Sequence, residues 1–119
     1  MKNPAPRERR RLKRWNITYY LPILDNQTQK IIGHLMDISP VGLLMDSKFL
    51  IQKNQVHDLH LDFNEAIAGR ASVDFIARGK WCRLDPIAPL LYDVGFEIIR
   101  ISPEDIEVIK GLAQKYGAG

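Results

Sequence analysis

The chain has a single cysteine, Cys82, and no apolar run that approaches the length of a membrane span. One cysteine excludes an intramolecular disulfide and cannot build a cysteine-based zinc cage, and both facts fit a reducing cytoplasm. The longest apolar stretches, such as Pro89-Leu90-Leu91-Tyr92, fall far short of the roughly 20 residues that cross a bilayer, so no membrane insertion is expected. The N-terminus is basic, but no apolar segment follows it as a secretory signal would require. Histidine is scarce: His57 and His60, three apart on a strand pattern, face opposite ways and do not share an ion, and His34 has no evident partner. No metal is expected. Nothing resembles a nucleophile–base pair or a phosphate-cradling glycine loop, so no catalytic residue and no catalytic cofactor is assigned, and the chain is read as not an enzyme.

What remains is the composition of one soluble globular domain: 119 residues, 45% hydrophobic and 26% charged. The net charge of +3 is unevenly spread. Residues 1–14 carry Lys2, Arg7, Arg9, Arg10, Arg11, Lys13 and Arg14 against Glu8, a balance of +6, which leaves −3 on residues 15–119. With Pro4, Pro6 and no apolar periodicity, residues 1–14 read as a flexible basic arm on a mildly acidic body. Such an arm meets something anionic: nucleic acid, a membrane surface or a phosphorylated small ligand.

From Trp15 onward short apolar segments alternate with turn residues. Residues 17–21 are rich in β-branched and aromatic types, Asp25-Asn26-Gln27 reads as a turn, 30–38 as a second strand, and 43–45 as a third beyond the interruption Ser39-Pro40-Val41-Gly42. Residues 56–63 put His57, Leu59, Leu61 and Phe63 on one side and Asp58, His60 and Asp62 on the other. Ala71, Val73, Phe75 and Ala77 share a face opposite Ser72 and Asp74, and Leu90, Tyr92, Val94, Phe96 and Ile98 form another. Period-two alternation of this kind marks half-buried antiparallel strands, and six of them without intervening helices predict a small all-β barrel or sandwich over 15–101. A C-terminal helix is expected over 102–116. Ser102 would cap it, Pro103 would fill its first position, Glu104 and Asp105 suit its positive end, and Gly117 would end it. Ile106, Ile109, Leu112, Ala113 and Tyr116 form a stripe that can pack on the barrel.

Two short patterns carry chemistry: Arg10 and Arg14 as an Arg-x-x-x-Arg pair within Arg10-Arg11-Leu12-Lys13-Arg14, and Asp37-Ile38-Ser39-Pro40-Val41-Gly42 as Asp-x-Ser-x-x-Gly. Each alone is commonplace, a solvated tail or a simple turn. In this order and spacing, with Trp81 and Asp93-Val94-Gly95-Phe96-Glu97 downstream, residues 7–101 resemble the PilZ domain family. The resemblance implies a six-stranded antiparallel β-barrel that binds cyclic di-GMP. It assigns Arg10 and Arg14 to the guanines and phosphates, and Asp37, Ser39 and Gly42 to the remaining guanine and backbone. Arg9 and Arg11 would assist, and Trp81 would stand near the ligand as an aromatic.

These residue types suit that ligand on physical grounds. Guanine offers paired acceptors, O6 and N7, which match an arginine fork, and a guanidinium also stacks flat on a purine as lysine does not. Guanine N1 and N2 are donors, and an ionised Asp37 only accepts. Gly42 would serve a positive φ or a close approach of the ligand. The expected switch is an arm ordered by ligand over the barrel, which changes the surface shown to a downstream protein partner. Two rival readings are a basic-tailed small barrel that binds nucleic acid, against which the acidic balance of 15–119 argues, and a PilZ-like adaptor that works through protein contacts without ligand.

Overall fold

The computed structural model describes residues 15–16, 21–67, 69–88 and 90–116. Seven strands and one helix follow one another: β1 (Trp15–Asn16), β2 (Pro22–Asp25), β3 (Ile31–Ser39), β4 (Gly42–Ser47), β5 (Val56–Ile67), β6 (Arg70–Leu84), β7 (Tyr92–Arg100) and α1 (Pro103–Tyr116). All pairings are antiparallel, and β2, β3, β4, β7, β6 and β5 pair in a ring that closes on itself. The result is a six-stranded barrel, and closure removes the free sheet edges that an open six-stranded sheet would leave. The two-residue β1 pairs with the C-terminal half of β3, on the edge whose N-terminal half is taken by β2.

The interior is what the alternation predicts. Leu59 and Leu61 of β5, Val73, Phe75 and Ala77 of β6, and Val94 and Phe96 of β7 are buried in one cluster with Leu35, Ile38, Leu43 and Met45. Asp58, His60 and Asp62 lie on the opposite face of β5 from that cluster. The β2–β3 turn is held by Asp25, whose Oδ1 accepts from the amides of Gln27 at 2.7 Å and Thr28 at 3.3 Å. In the β5–β6 turn Gly69 has φ 78°, a left-handed conformation that glycine adopts without a Cβ penalty.

Helix α1 starts as its sequence dictates. Ser102 Oγ accepts from the Asp105 amide at 3.1 Å, which satisfies one of the otherwise unpaired N–H groups of the first turn. Arg70 of β6 reaches Asp105 at 2.8 Å and ties that turn to the barrel. Val108, Ile109 and Leu112 are buried in the barrel's own cluster. Each fully buried side chain of this size stabilises by roughly 1.5–3 kcal/mol, so this face is enough to hold the helix.

Several expected boundaries shift. The second strand begins at Ile31 rather than Lys30 and runs through Ser39, and the third extends over Gly42–Ser47. Of the segment over 17–21, residues 17–20 lie outside those described, and Leu21 lies just before β2. Leu90 is 86% exposed in the turn before β7 instead of on its inner face, because β7 starts only at Tyr92. Ala71 is exposed at the start of β6, beyond the reach of the core. The arm over 1–14 and the helix stop at Gly117 lie outside the described residues.

Candidate functional site

Two β-bulges determine which side chains the barrel shows on its outer face. Leu35 and Ile38 are both core residues although three positions apart, because the β3–β4 register shifts between Leu35 and Asp37. A bulge there re-aims the following side chain, so Asp37 and Ser39 face outward while Ile38 faces in. In β6 the register shifts between Gly79 and Trp81, which turns Trp81 outward between the inward Gly79 and Cys82.

The re-aimed residues fall into line. Asn16 stands opposite Asp37, Asp37 opposite Leu44, Leu44 opposite Gly95, and Gly95 opposite Trp81. Directly opposed residues share a face, so this is one row across β1, β3, β4, β7 and β6. With strands about 4.8 Å apart, Asp37 and Trp81 are separated by about 14 Å along the sheet surface. A neighbouring row runs His34, Asp46, Asp93 and Arg83, and on the other side another runs Ser39, Gly42, Glu97 and Arg78.

This outer face is covered. Asp37 is 1% exposed, Leu44 2%, Asp93 0% and Asp46 9%. Buried carboxylates demand hydrogen-bonding or cationic partners, and none of these three lacks one. His34 Nδ1 stands 3.9 Å from Asp46 Oδ1. Beside His34 and Asp46 a hollow of about 340 Å³ opens between Ile31, Lys48, Phe49 and Leu91.

Ser39 and Gly42 close the β3–β4 hairpin. Ser39 Oγ donates to the Gly42 carbonyl at 3.3 Å and accepts from the Val41 amide at 3.4 Å, and the Val41 side chain is exposed. Gly42 does not have a positive φ: among the described residues only Gln29, Asn54 and Gly69 do. That corrects one of the two reasons expected for this glycine and leaves close approach. Trp81 is half-buried at the far end of the row, with the Arg83 guanidinium carbon 4.8 Å from its ring centroid. Arg9, Arg10, Arg11 and Arg14 lie outside the described residues. The structure thus brings Asp37, Ser39, Gly42 and Trp81 to one face and adds Leu44, Asp46, Asp93, Gly95 and Arg83. The signal for Asp93 and Gly95 is their period-two spacing opposite the apolar face of Tyr92, Val94 and Phe96, which the alternation already gave; their place beside Trp81, Leu44 and Asp46 comes from the ladder register.

A second polar cluster sits elsewhere on the barrel, over β2, β5 and β6. His60 Nδ1 lies 2.9 Å from Asp74 Oδ1 and its Nε2 2.8 Å from Asp62 Oδ1, while Asn26 Nδ2 donates to Asp58 at 2.8 Å and to Asp74 at 2.9 Å. Burial works against a charge on His60, but the hydrogen bonds from Asp74 and Asp62 outweigh it and raise its pKa above the usual histidine value. The Asp74 carboxyl is held below its ordinary value: burial raises it, and the Asn26 and His60 hydrogen bonds more than reverse that. His57 faces the other way, edge-on to Phe96 with centroids 5.8 Å apart, and burial lowers its pKa. Its opposite orientation to His60 agrees with the sequence.

Among the described residues no helix is long and apolar enough to cross a membrane. No protein-family model and no curated protein matches the chain. The fold is similar to the structure of the Bacillus subtilis inhibitor of motility (MotI/DgrA), with a TM-score of 0.68 and 15% sequence identity, over 87% of this chain and 50% of that one. This chain therefore spans about half the length of that protein. What the likeness shows is architecture: six antiparallel strands closed into a barrel with one C-terminal helix, the fold of a PilZ domain.

Proposed function

We propose that this domain is a non-catalytic receptor for cyclic di-GMP, gripped between the arginines of residues 1–14 and the outward face around Asp37, Ser39 and Gly42. The observation that carries the reading is the β1–β3 register. Asn16 stands opposite Asp37, and Arg14 is two residues before Asn16. Consecutive Cα atoms are about 3.8 Å apart, so the Arg14 Cα is within about 8 Å of that of Asn16, and Arg10 is within about 21 Å on a fully extended chain. Chain length therefore allows both arginines to meet the same dinucleotide as Asp37.

In this reading the arginine forks take O6, N7 and the phosphates, with Arg10 and Arg14 as the principal pair and Arg9 and Arg11 beside them. Asp37 accepts from guanine N1 and N2. Ser39 and the Gly42 backbone border the phosphate side, and Trp81 closes the far end of the row. Ligand orders the basic arm on the acidic face made by Asp37, Asp46 and Asp93, and the rearranged surface is what a downstream protein partner in the cytoplasm recognises. The likeness to an inhibitor of motility supports a signalling role. The −3 balance of residues 15–119 carries no basic stripe onto the barrel, which disfavours a nucleic-acid groove.

Titration calorimetry with Arg14→Ala tests the assignment. Losing a charge-assisted contact worth roughly 1.5–3 kcal/mol should weaken cyclic di-GMP binding on the order of 10- to 100-fold. Unchanged affinity removes Arg14 from the site.

A further inference from the structure

Gly95 lies on β7 between the inward Val94 and Phe96, so its missing side chain leaves a gap on the outer face. The gap is filled by Trp81. A Cβ built on Gly95 would lie 2.5 Å from Trp81 Nε1 and 2.8 Å from Cζ2, and would overlap Cε2. No real Cβ tolerates such distances, and the atoms in the way belong to a bulky ring. The Gly95 backbone conformation is ordinary, since its φ is not positive. Space alone, and not backbone freedom, makes glycine the residue that fits here.

On the seated ring rests Arg83, two residues along β6. Its guanidinium carbon is 4.8 Å from the ring centroid, within cation–π range. Two other arginines on the barrel surface are committed to carboxylates, Arg70 to Asp105 at 2.8 Å and Arg78 to Glu97 at 3.5 Å, while Arg100 at the end of β7 is exposed without an ion pair among the described residues but is not recorded over an aromatic ring. Arg83 has no ion-pair partner among the described residues, and it is exposed. A guanidinium stacked on an indole keeps its N–H fork free in the ring plane and loses little rotamer entropy when it meets a ligand.

We infer that Arg83 is a further ligand contact of this site, a guanidinium prepared for the phosphate or guanine edge of the dinucleotide. Trp81 is its support, and Gly95 is the positioning residue that seats Trp81. The three form a stack, Gly95 backbone, indole and guanidinium, at the opposite end of the row from Asp37. The inference rests on the cyclic di-GMP reading for the identity of the ligand and on the structure alone for the stack.

The test is a double-mutant cycle on the full chain with cyclic di-GMP. Arg83→Ala should weaken binding about tenfold, as the loss of one charge-assisted contact does. Arg83→Lys should not restore it, because an ammonium keeps the charge but not the planar stack. Gly95→Ala should weaken binding to a similar degree, and Gly95→Ala combined with Arg83→Ala should be little worse than either alone, because both act through the same contact. Unchanged affinity in Arg83→Ala, full rescue by lysine, or simply additive losses would overturn the inference. Arg83 is a surface residue, so its two variants decide the matter even if Gly95→Ala folds poorly. A separate readout needs no ligand: the Trp81 indole N–H resonance should move in both Gly95→Ala and Arg83→Ala. If that signal moves while the wild-type protein ignores cyclic di-GMP, the stack stands and the choice of ligand fails. If the signal stays put, the stack is wrong whatever the ligand.

Discussion

Asn16 stands directly opposite Asp37 in the β1–β3 ladder. Twenty-one positions apart in sequence, the two are neighbours across one strand gap of about 5 Å. The pairing puts Asn16, two positions after Arg14 in the sequence, at the edge of the strand that bears the buried carboxylate.

Asp37→Asn keeps the shape of the side chain and removes its charge. Cyclic di-GMP affinity should fall about 10- to 100-fold, because the amide no longer accepts as a carboxylate does from guanine N1 and N2. Calorimetry of the variant beside the wild type checks this. Unaltered affinity with a lowered melting temperature would mean that Asp37 serves the fold alone.

The barrel and its helix share one core, so truncation inside the helix should be felt by the whole domain. Ile109 is fully buried against that core. Ile109→Ala should cost about 2–5 kcal/mol in urea denaturation. A cost below ~1 kcal/mol would show that the helix contributes little to the stability of the barrel.

The cap of the same helix gives a smaller and separable effect. Ser102→Ala removes the acceptor for the Asp105 amide and should destabilise by about 0.5–2 kcal/mol. Ser102→Asp, which keeps an acceptor and adds a favourable charge at the positive helix end, should restore most of it.

Which of these features could be read in advance depends on how regular the alternation is. The first half of β5, up to Asp62, and the first half of β6 alternate without interruption, and their core residues Leu59, Leu61, Val73, Phe75 and Ala77 were legible directly. The helix was legible from Ser102-Pro103-Glu104-Asp105 and its apolar stripe, although Val108 also turns out to be buried. Alternation failed at the two bulges. Beyond Gly79 the parity of β6 flips, so the strand's continuation to Leu84 and the outward turn of Trp81 were hidden. At Met36 the same slip hides that Asp37 is outward and Ile38 inward. The motif named Asp37, Ser39 and Gly42, but the partners Leu44, Asp93 and Gly95 follow only from ladder register, a long-range property that single-strand patterns do not contain.

His60 should make stability depend on pH. Its folded pKa lies above the ordinary value of 6.5, so its stabilising contribution is complete below about pH 6.5 and is lost as pH rises through the higher folded value. His57, with its pKa lowered by burial, works in the opposite sense and loses stability as pH falls. The difference between wild type and His60→Gln isolates the first term. Melting temperatures from pH 5.5 to 8.5 should show the advantage of the wild type shrinking toward high pH, and an advantage that grows with pH would contradict the imidazolium bridge between Asp62 and Asp74.

The most direct measurement is calorimetric titration of the purified chain with cyclic di-GMP, with cyclic di-AMP as control and a chain lacking residues 1–14 alongside. The account predicts saturable binding of cyclic di-GMP at micromolar concentration or below, none of cyclic di-AMP, and loss of binding in the shortened chain. A silent titration with cyclic di-GMP, or equal binding with and without residues 1–14, would contradict it.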